Sequence, residues 1–244
     1  MALHQSKICL GCWQQMHLPV PLRGVLSAPF RVFGIRPSRM NPNTCTICEL
    51  MFKTVMRART VTIDATVLFA DLRGYTSLSQ TLSPDAISRV LGTFYDESAS
   101  AIWDYDGLLN KTLGDAVMAL FNFPIRCENH ARHAVLAARE MQKRWRAKRE
   151  KLVEEFDLDG NKLGIGIGIH SGELSFGEFG RSHRDLTAIG TVVNIASRAQ
   201  SVADVDQILV THAVYHRARS ELEGSQVSSY RLKGFETSTE LYEA

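Results

Sequence analysis

The sequence predicts an α+β domain with an antiparallel-rich sheet, ordered β-α-β-β-α-β, behind a small N-terminal module that contains cysteines. Three observations lead there. The first is a break in composition near residue 60. Residues 1–60 carry eight Lys/Arg against a single acid, Glu49, a net +7, and the remainder carries 20 bases against 25 acids, a net −5. Such a break marks a boundary between modules, here 1–60 and 61–244. The second is a change of period at Val61, from an irregular Pro/Arg-rich stretch to strand-like alternation. The third is a pair of long helical-period segments separated by short apolar runs. With 45% hydrophobic and 22% charged residues, 244 residues supply one sizeable core and a small accessory module.

Taken in order, the Pro/Arg-rich stretch that ends in Pro37-Ser38-Arg39-Met40-Asn41-Pro42-Asn43 is expected to cross a surface in extended form, without a helix. Glu49 to Arg59 reads as a short connecting helix. Val61, Ile63 and Ala65 alternate with polar residues, and Val67-Leu68-Phe69-Ala70 continues as a buried strand. Ser83-Pro84 starts a helix, serine as cap and proline at the first helical position, with Ile87, Val90, Leu91, Phe94 and Ile102 on its apolar face. Tyr105-Asp106-Gly107 ends it. Strands at Leu108–Thr112 and Ala116–Phe121 follow, with Leu113-Gly114-Asp115 as the turn between them. A long amphipathic helix covers Asn129 to Phe156, with Val135, Ala138, Met141, Trp145 and Leu152 inward and a basic cluster, Lys143–Lys151, on the solvated face. Strands Leu163–His170 and Glu173–Phe179, a helix from Val192 to Val202 and a strand at Gln207–Val210 complete the ferredoxin-like arrangement.

Leu18 to Ile35, the most apolar N-terminal run, is cut by Pro19, Pro21, Arg23, Pro29 and Arg31. It falls short of the roughly 18–20 uninterrupted apolar residues of a membrane-spanning helix. No basic–apolar–small-residue leader opens the chain, so a cytoplasmic location is expected. In a reducing compartment the pairs Cys9-Leu10-Gly11-Cys12 and Cys45-Thr46-Ile47-Cys48 point to metal rather than disulfides. Four thiolates suit tetrahedral Zn²⁺; an iron–sulfur cluster uses the same ligands, and the 32-residue separation also allows no metal at all. His4 and His17 are alternative ligands or plain surface histidines, and Cys127 reads as a buried small hydrophobe. Phe30, Arg31, Phe33, Arg36 and Arg39 suit an acidic partner, a membrane surface, or a basic strap on the neighbouring domain; no nucleic-acid partner is expected.

Two carboxylates stand out in the second module. Asp71 ends a buried strand and Asp115 sits in the following hairpin, so adjacent strands would bring them together. A carboxylate there is costly unless paired or metal-bound, and two with waters and phosphate oxygens suit Mg²⁺. From spacing alone, Asp71 is equally a turn cap and Asp115 a hairpin residue. Likewise Arg198 is equally a surface arginine, Asn194 a helix cap and Lys233 a turn residue.

Four segments carry a resemblance. Val67-Leu68-Phe69-Ala70-Asp71-Leu72-Arg73-Gly74-Tyr75-Thr76, Asn110 to Ala119, Gly166 to Glu173, and Asp185 to Gly190 with Val193 to Arg198 are similar, in this order, to the blocks of class III nucleotidyl cyclases. The resemblance covers about Val61 to Ala244 and implies these roles. Asp71, Asp115 and the Leu72 backbone would hold two Mg²⁺ or Mn²⁺, and the amides of Leu72, Arg73, Gly74 and Tyr75 would cradle phosphate oxygens. Asn194 would orient the ribose, Arg198 would stabilise charge on the reacting phosphoryl group, and Lys233 would touch the triphosphate. Lys111 and Thr187 would read the base. Lysine only donates, which suits adenine N1, and a threonine hydroxyl accepts from the exocyclic amine. This pair resembles the threonine subclass of adenylate cyclases, some members of which respond to bicarbonate or CO₂. The fourth block departs at one place, Thr191 for the usual aspartate, where a packing or capping effect is expected. The resemblance further implies ATP as substrate and a head-to-tail homodimer whose sites combine both chains. A catalytically silent nucleotide sensor and a guanylate cyclase are the alternatives.

Overall fold

The computed structural model describes residues 6–180, 185–235 and 237–244. Its N-terminal part is organised by sulfur. Cys9 Sγ accepts the Cys12 amide at 3.4 Å and starts α1 (Leu10–Met16). A 3₁₀ turn (Val25–Ser27) and the short α2 (Ala28–Val32) follow, where extended chain was expected. Pro29 falls in the first turn of α2, and a missing N–H costs nothing there. α3 (Thr46–Ala58) begins at Thr46 rather than Glu49, because Cys45 caps it by accepting the Cys48 amide.

β1 (Val61–Arg73) is the spine of the second part. Ala65, Val67 and Phe69 face one side and Leu68, Ala70 and Leu72 the other, all buried, which explains the unbroken apolar run. A helix not anticipated from the sequence, α4 (Tyr75–Thr81), precedes α5 (Pro84–Asp104). The Ser83 hydroxyl caps α5 by accepting the Ala86 amide at 3.3 Å, worth about 1 kcal/mol. β2 (Leu108–Leu113) and β3 (Ala116–Phe121) form the hairpin, and α6 (His130–Phe156) buries its five expected apolar residues. Its basic cluster is not simply solvated. Arg144 pairs with Asp104 and Glu140, and Arg146 and Arg149 converge on Asp206.

β4 (Gly164–Phe179) is one strand where two were expected, since Ser171 and Gly172 stay paired with Thr66 and Ala65 of β1. β5 (Asp185–Ile189), α7 (Thr191–Ser201), β6 (Ile208–Thr211), α8 (His212–Arg217), α9 (Arg219–Leu222), β7 (Val227–Tyr230) and β8 (Thr239–Glu243) complete the chain. The sheet runs β2-β3-β1-β4-β6-β8-β7, with β5 also on β4; β4–β6 pair parallel and the other described pairs are antiparallel. α5 and α6 cover one face, with Phe94 and Trp145 against Leu68 and Leu72; α3 and α7 cover the other, with Met56 and Ala196 against Val67 and Phe69. The glycines of β4 set how closely α7 lies, because a Cβ on Gly168 would stand 2.0 Å from the Gln200 amide nitrogen. Among the described residues no helix is long and apolar enough to cross a membrane.

Candidate active site

Asp71 and Asp115 meet where β1 passes the β2–β3 hairpin. Asp71 lies opposite Ala116, and the next amide, Leu72 N–H, donates to the Asp115 carbonyl at 2.9 Å. Tyr95, on α5, donates its hydroxyl to the Gly114 carbonyl and so ties down the turn that carries Asp115. Burial, and then the charge of Asp115, push the Asp71 carboxyl up to about 6, against the pull of the Arg73 guanidinium at 3.6 Å. A buried carboxyl beside a second carboxylate fits a divalent cation, whose charge removes both penalties on Asp71. Asp71 and Asp115 could together hold such a cation.

Of the four amides expected to cradle phosphate, that of Leu72 is already engaged. The Leu72 amide donates to the Asp115 carbonyl, and among the described residues the first-turn amides of α4, Tyr75 to Ser77, have no backbone partner. Gly74 precedes them at φ +81°, and a Cβ there would meet the Lys162 carbonyl at 2.6 Å, so only glycine fits. The Arg73 guanidinium lies across Gly166 and donates to the Gln200 carbonyl, bracing β1 against α7.

A second group gathers between β2 and β5. Lys111 makes an ion pair with Asp185, and Asn110 Nδ2 donates to Thr187 Oγ1 at 3.4 Å. Neighbouring residues of a strand normally point to opposite faces; a register irregularity between Leu109 and Lys111 lets both Asn110 and Lys111 reach β5. Sequence alone assigns no role to Asp185, Asn110 or Tyr95. For Asp185 a signal existed, since it stands two residues before Thr187 and therefore on the same strand face.

Asn194 and Arg198 lie one turn apart on α7, as their spacing predicts. Thr191 is the first, exposed residue of that helix and touches none of the site residues by a hydrogen bond among the described residues. Lys233 is exposed in a turn, followed by Gly234 at φ +87°. Among the described residues, no hydrogen bond or ion pair joins Asn194, Arg198 or Lys233 to the Asp71–Asp115 pair. The chain thus brings Asp71 beside Asp115, and Lys111 and Asn110 to Asp185 and Thr187 of β5.

The four N-terminal cysteines converge. Their sulfurs all lie within 4.8 Å of one another, with separations of 3.6 Å (Cys9–Cys48), 3.7 Å (Cys12–Cys45) and 3.4 Å (Cys12–Cys48). A Zn–S bond of ~2.3 Å sets a tetrahedral edge of about 3.8 Å, so the cluster could hold a metal with little adjustment. Amides of Cys12, Cys45 and Cys48 point at these sulfurs, an arrangement that favours thiolate. Burial pushes the Cys12 thiol up to about 12, whereas hydrogen bonds from Cys48 and Cys9 hold Cys45 far down, so thiolate character is shared unevenly without a cation. His17 is exposed beside Trp13 and outside the cluster; His4 lies outside the described residues. Cys127 is half-buried with its sulfur 3.5 Å from His133 Nδ1, not a fully buried hydrophobe.

Comparison with known proteins places these groups in context. Residues 58–243 match the family described as "Adenylate and Guanylate cyclase catalytic domain". An adenylate cyclase of Anabaena cylindrica is 36% identical over 157 residues, which is 61% of this chain and 30% of that protein. The chain therefore spans less than a third of the length of this relative. Among solved structures, the adenylyl cyclase CyaB from P. aeruginosa superposes with a TM-score of 0.69 at 29% identity, covering 76% of this chain and 95% of that one. The guanylyl cyclase Cya2 gives a TM-score of 0.69 at 26% identity, covering 75% and 92%.

Proposed function

The chain belongs to the adenylate and guanylate cyclase catalytic domain family, and from that premise we propose that residues 61–244 form an adenylate cyclase, converting ATP to 3′,5′-cyclic AMP and pyrophosphate, behind a metal-stapled module of residues 1–60. The observation that carries the choice of base is the pairing across β2 and β5, where Lys111 and the Thr187 hydroxyl are held by Asp185 and Asn110. A charged lysine can only donate, so it meets adenine N1 well and guanine N1–H badly. Thr187 accepts from the exocyclic amine, and its threonine identity is what aligns the chain with the threonine subclass.

Asp71 and Asp115, with the Leu72 carbonyl, would hold two Mg²⁺ or Mn²⁺, which when bound lower the pKa of the ribose 3′-hydroxyl and neutralise the triphosphate. Around them, Arg73 fixes the end of β1, and the first-turn amides of α4 present N–H groups to phosphate oxygens. Asn194 orients the ribose and Arg198 stabilises charge as it builds on the phosphoryl oxygens. That no hydrogen bond or ion pair joins Asn194 or Arg198 to the carboxylates among the described residues suits a site completed by a second copy, two such sites forming in a head-to-tail homodimer.

The purified full chain with Mn²⁺ is expected to make cyclic AMP from ATP with kcat/KM at least about tenfold above that for GTP. Lys111→Glu should lower the ATP value by about 10²-fold and the GTP value by much less, because it leaves adenine N1 facing an acceptor. Equal use of the two nucleotides by the wild-type chain would overturn the choice of adenine, and no cyclic product from either would overturn the enzyme.

The cysteine cluster we assign to one structural Zn²⁺ in a chain that works in the cytoplasm, where thiols stay reduced. Metal analysis should find one zinc per chain. Cys45→Ser should lose it and lower the unfolding temperature by about 10 °C or more, since ligand binding there is folding energy. Stoichiometric iron, with visible absorption, would sink the zinc assignment.

A further inference from the structure

The long gap between the two cysteine pairs is left unexplained by metal binding, and its structure is unusual. Leu22 is 1% exposed and packs among Cys9, Cys12 and Cys45, and Ile35 packs against the same cluster. The chain therefore leaves the cysteine core at Leu22 and returns at Ile35. Its return is fixed by the Thr46 hydroxyl, which donates to the Gly34 carbonyl at 2.9 Å, and by the Ile35 amide on the Phe30 carbonyl at 2.9 Å. Between these anchors residues 23–34 fold into the 3₁₀ turn and α2, with the Ser27 hydroxyl tied to the Gly24 carbonyl at 2.7 Å.

This ordered excursion exposes what a water-facing loop ordinarily avoids. Val25 is 90% exposed, Leu26 77%, Val32 84% and Phe33 83%. Single exposed apolar residues are ordinary, but four large ones on one short, internally bonded tip mark an interaction surface. The charge beside it has one sign. No acid occurs before Glu49, and the exposed side chains of Arg31, Arg36 and Arg39 have no hydrogen bond or ion pair among the described residues. Arg36, Arg39 and Lys53 border a recess of about 420 Å³. Glu49, in the same recess, already accepts from Ser38 Oγ at 2.6 Å and Lys53 Nζ at 2.6 Å. A basic strap packed on the neighbouring domain would have buried these apolar side chains, and they are not buried.

We propose that this excursion docks the chain on an anionic phospholipid bilayer. Val25, Leu26, Val32 and Phe33 enter the headgroup–acyl boundary, and Arg31, Arg36 and Arg39 meet lipid phosphates. Shallow apolar insertion and cationic attraction each bind weakly and together bind stably, and the tip supplies the first while its base supplies the second. The reading is independent of which nucleotide the catalytic domain uses.

The full, zinc-loaded chain tests this in sedimentation with vesicles of phosphatidylcholine alone or with one-third phosphatidylglycerol. Binding to the anionic vesicles should be at least about tenfold tighter and should weaken with salt. Leu26→Ser with Phe33→Ser should reduce it about tenfold or more, with zinc content and cyclase activity in solution unchanged, which separates lost docking from lost folding. Arg36→Gln with Arg39→Gln should also reduce it and flatten the salt dependence. Equal binding to both vesicles, or binding indifferent to the tip replacements, would overturn the proposal. So would a change of solution mass in the tip variants, which would make a second copy the occupant, or capture by polyglutamate in place of lipid, which would make the partner an acidic protein.

Discussion

Asp71→Asn is expected to lower kcat by at least about 10³-fold and, in the metal-free protein, to raise the unfolding temperature. The two effects have one cause. Burial and the neighbouring charge of Asp115 lift the Asp71 carboxyl from its ordinary 3.8 to about 6, so its ionised form is disfavoured in the folded chain. An acid whose folded pKa is raised stabilises the fold fully below its unfolded pKa, and that contribution is lost as pH rises through the folded value. Above about pH 6 the metal-free wild type thus carries an ionised Asp71 at a cost. Nominally two pKa units are about 3 kcal/mol; the side chain is 24% exposed, so screening leaves about 1 kcal/mol. For a chain of this size asparagine should therefore gain about 2–4 °C at pH 7.5. The gain should vanish as pH falls toward 4, where the wild-type carboxyl is protonated as well. Added Mn²⁺ should reverse the order, stabilising the wild type and leaving the variant unmoved. A variant that loses activity but is also less stable at pH 7.5 would mean that Asp71 is structural, a cap of the following turn.

The elements that build this site differ in how far the sequence discloses them. β1 is legible because both of its faces are buried, and a doubly buried strand must be apolar without interruption. α5 is legible because its Ser83 cap and apolar stripe are local, and α6 because its apolar stripe is. The joining of Asp71 to Asp115 follows from strand adjacency. The Asp185–Lys111 pair is different, because it depends on how β5 turns back toward β2 and on a register irregularity beside Asn110 that no spacing announces. β4 is continuous where two strands are expected because thirteen residues of β1 pair along it, Ser171 and Gly172 included, and overrule local propensity. The same limit applies to the excursion at residues 23–34. Pro29 forbids a helix interior but permits a first turn, and which of the two occurs depends on the anchors at Leu22 and Ile35. The convergence of four cysteines across a 32-residue gap was readable as chemistry, while the object presented by that gap was not.

Arg198→Ala is expected to lower kcat by about 10²–10³-fold with little change in KM, since its charge is needed chiefly as the phosphoryl group reacts. Its larger consequence appears on mixing. If each site takes Asp71 and Asp115 from one chain and Asn194 and Arg198 from the other, Asp71→Asn and Arg198→Ala damage different halves. In a mixed dimer one site receives both damaged halves and is dead. The other receives the intact carboxylates of the Arg198→Ala chain and the intact α7 of the Asp71→Asn chain. Random pairing makes half of the dimers mixed, each with one working site of two, so the mixture should recover about a quarter of wild-type activity from two nearly inactive proteins. The proposed composite site makes this the expected outcome, because a guanidinium must approach the reacting phosphoryl group to stabilise it. Recovery should grow with total protein concentration as dimers form, and a chain carrying both replacements should not rescue the wild-type level in either partner. If the mixture stays as inactive as its components at concentrations where the wild type is dimeric, all the reacting groups must come from one chain.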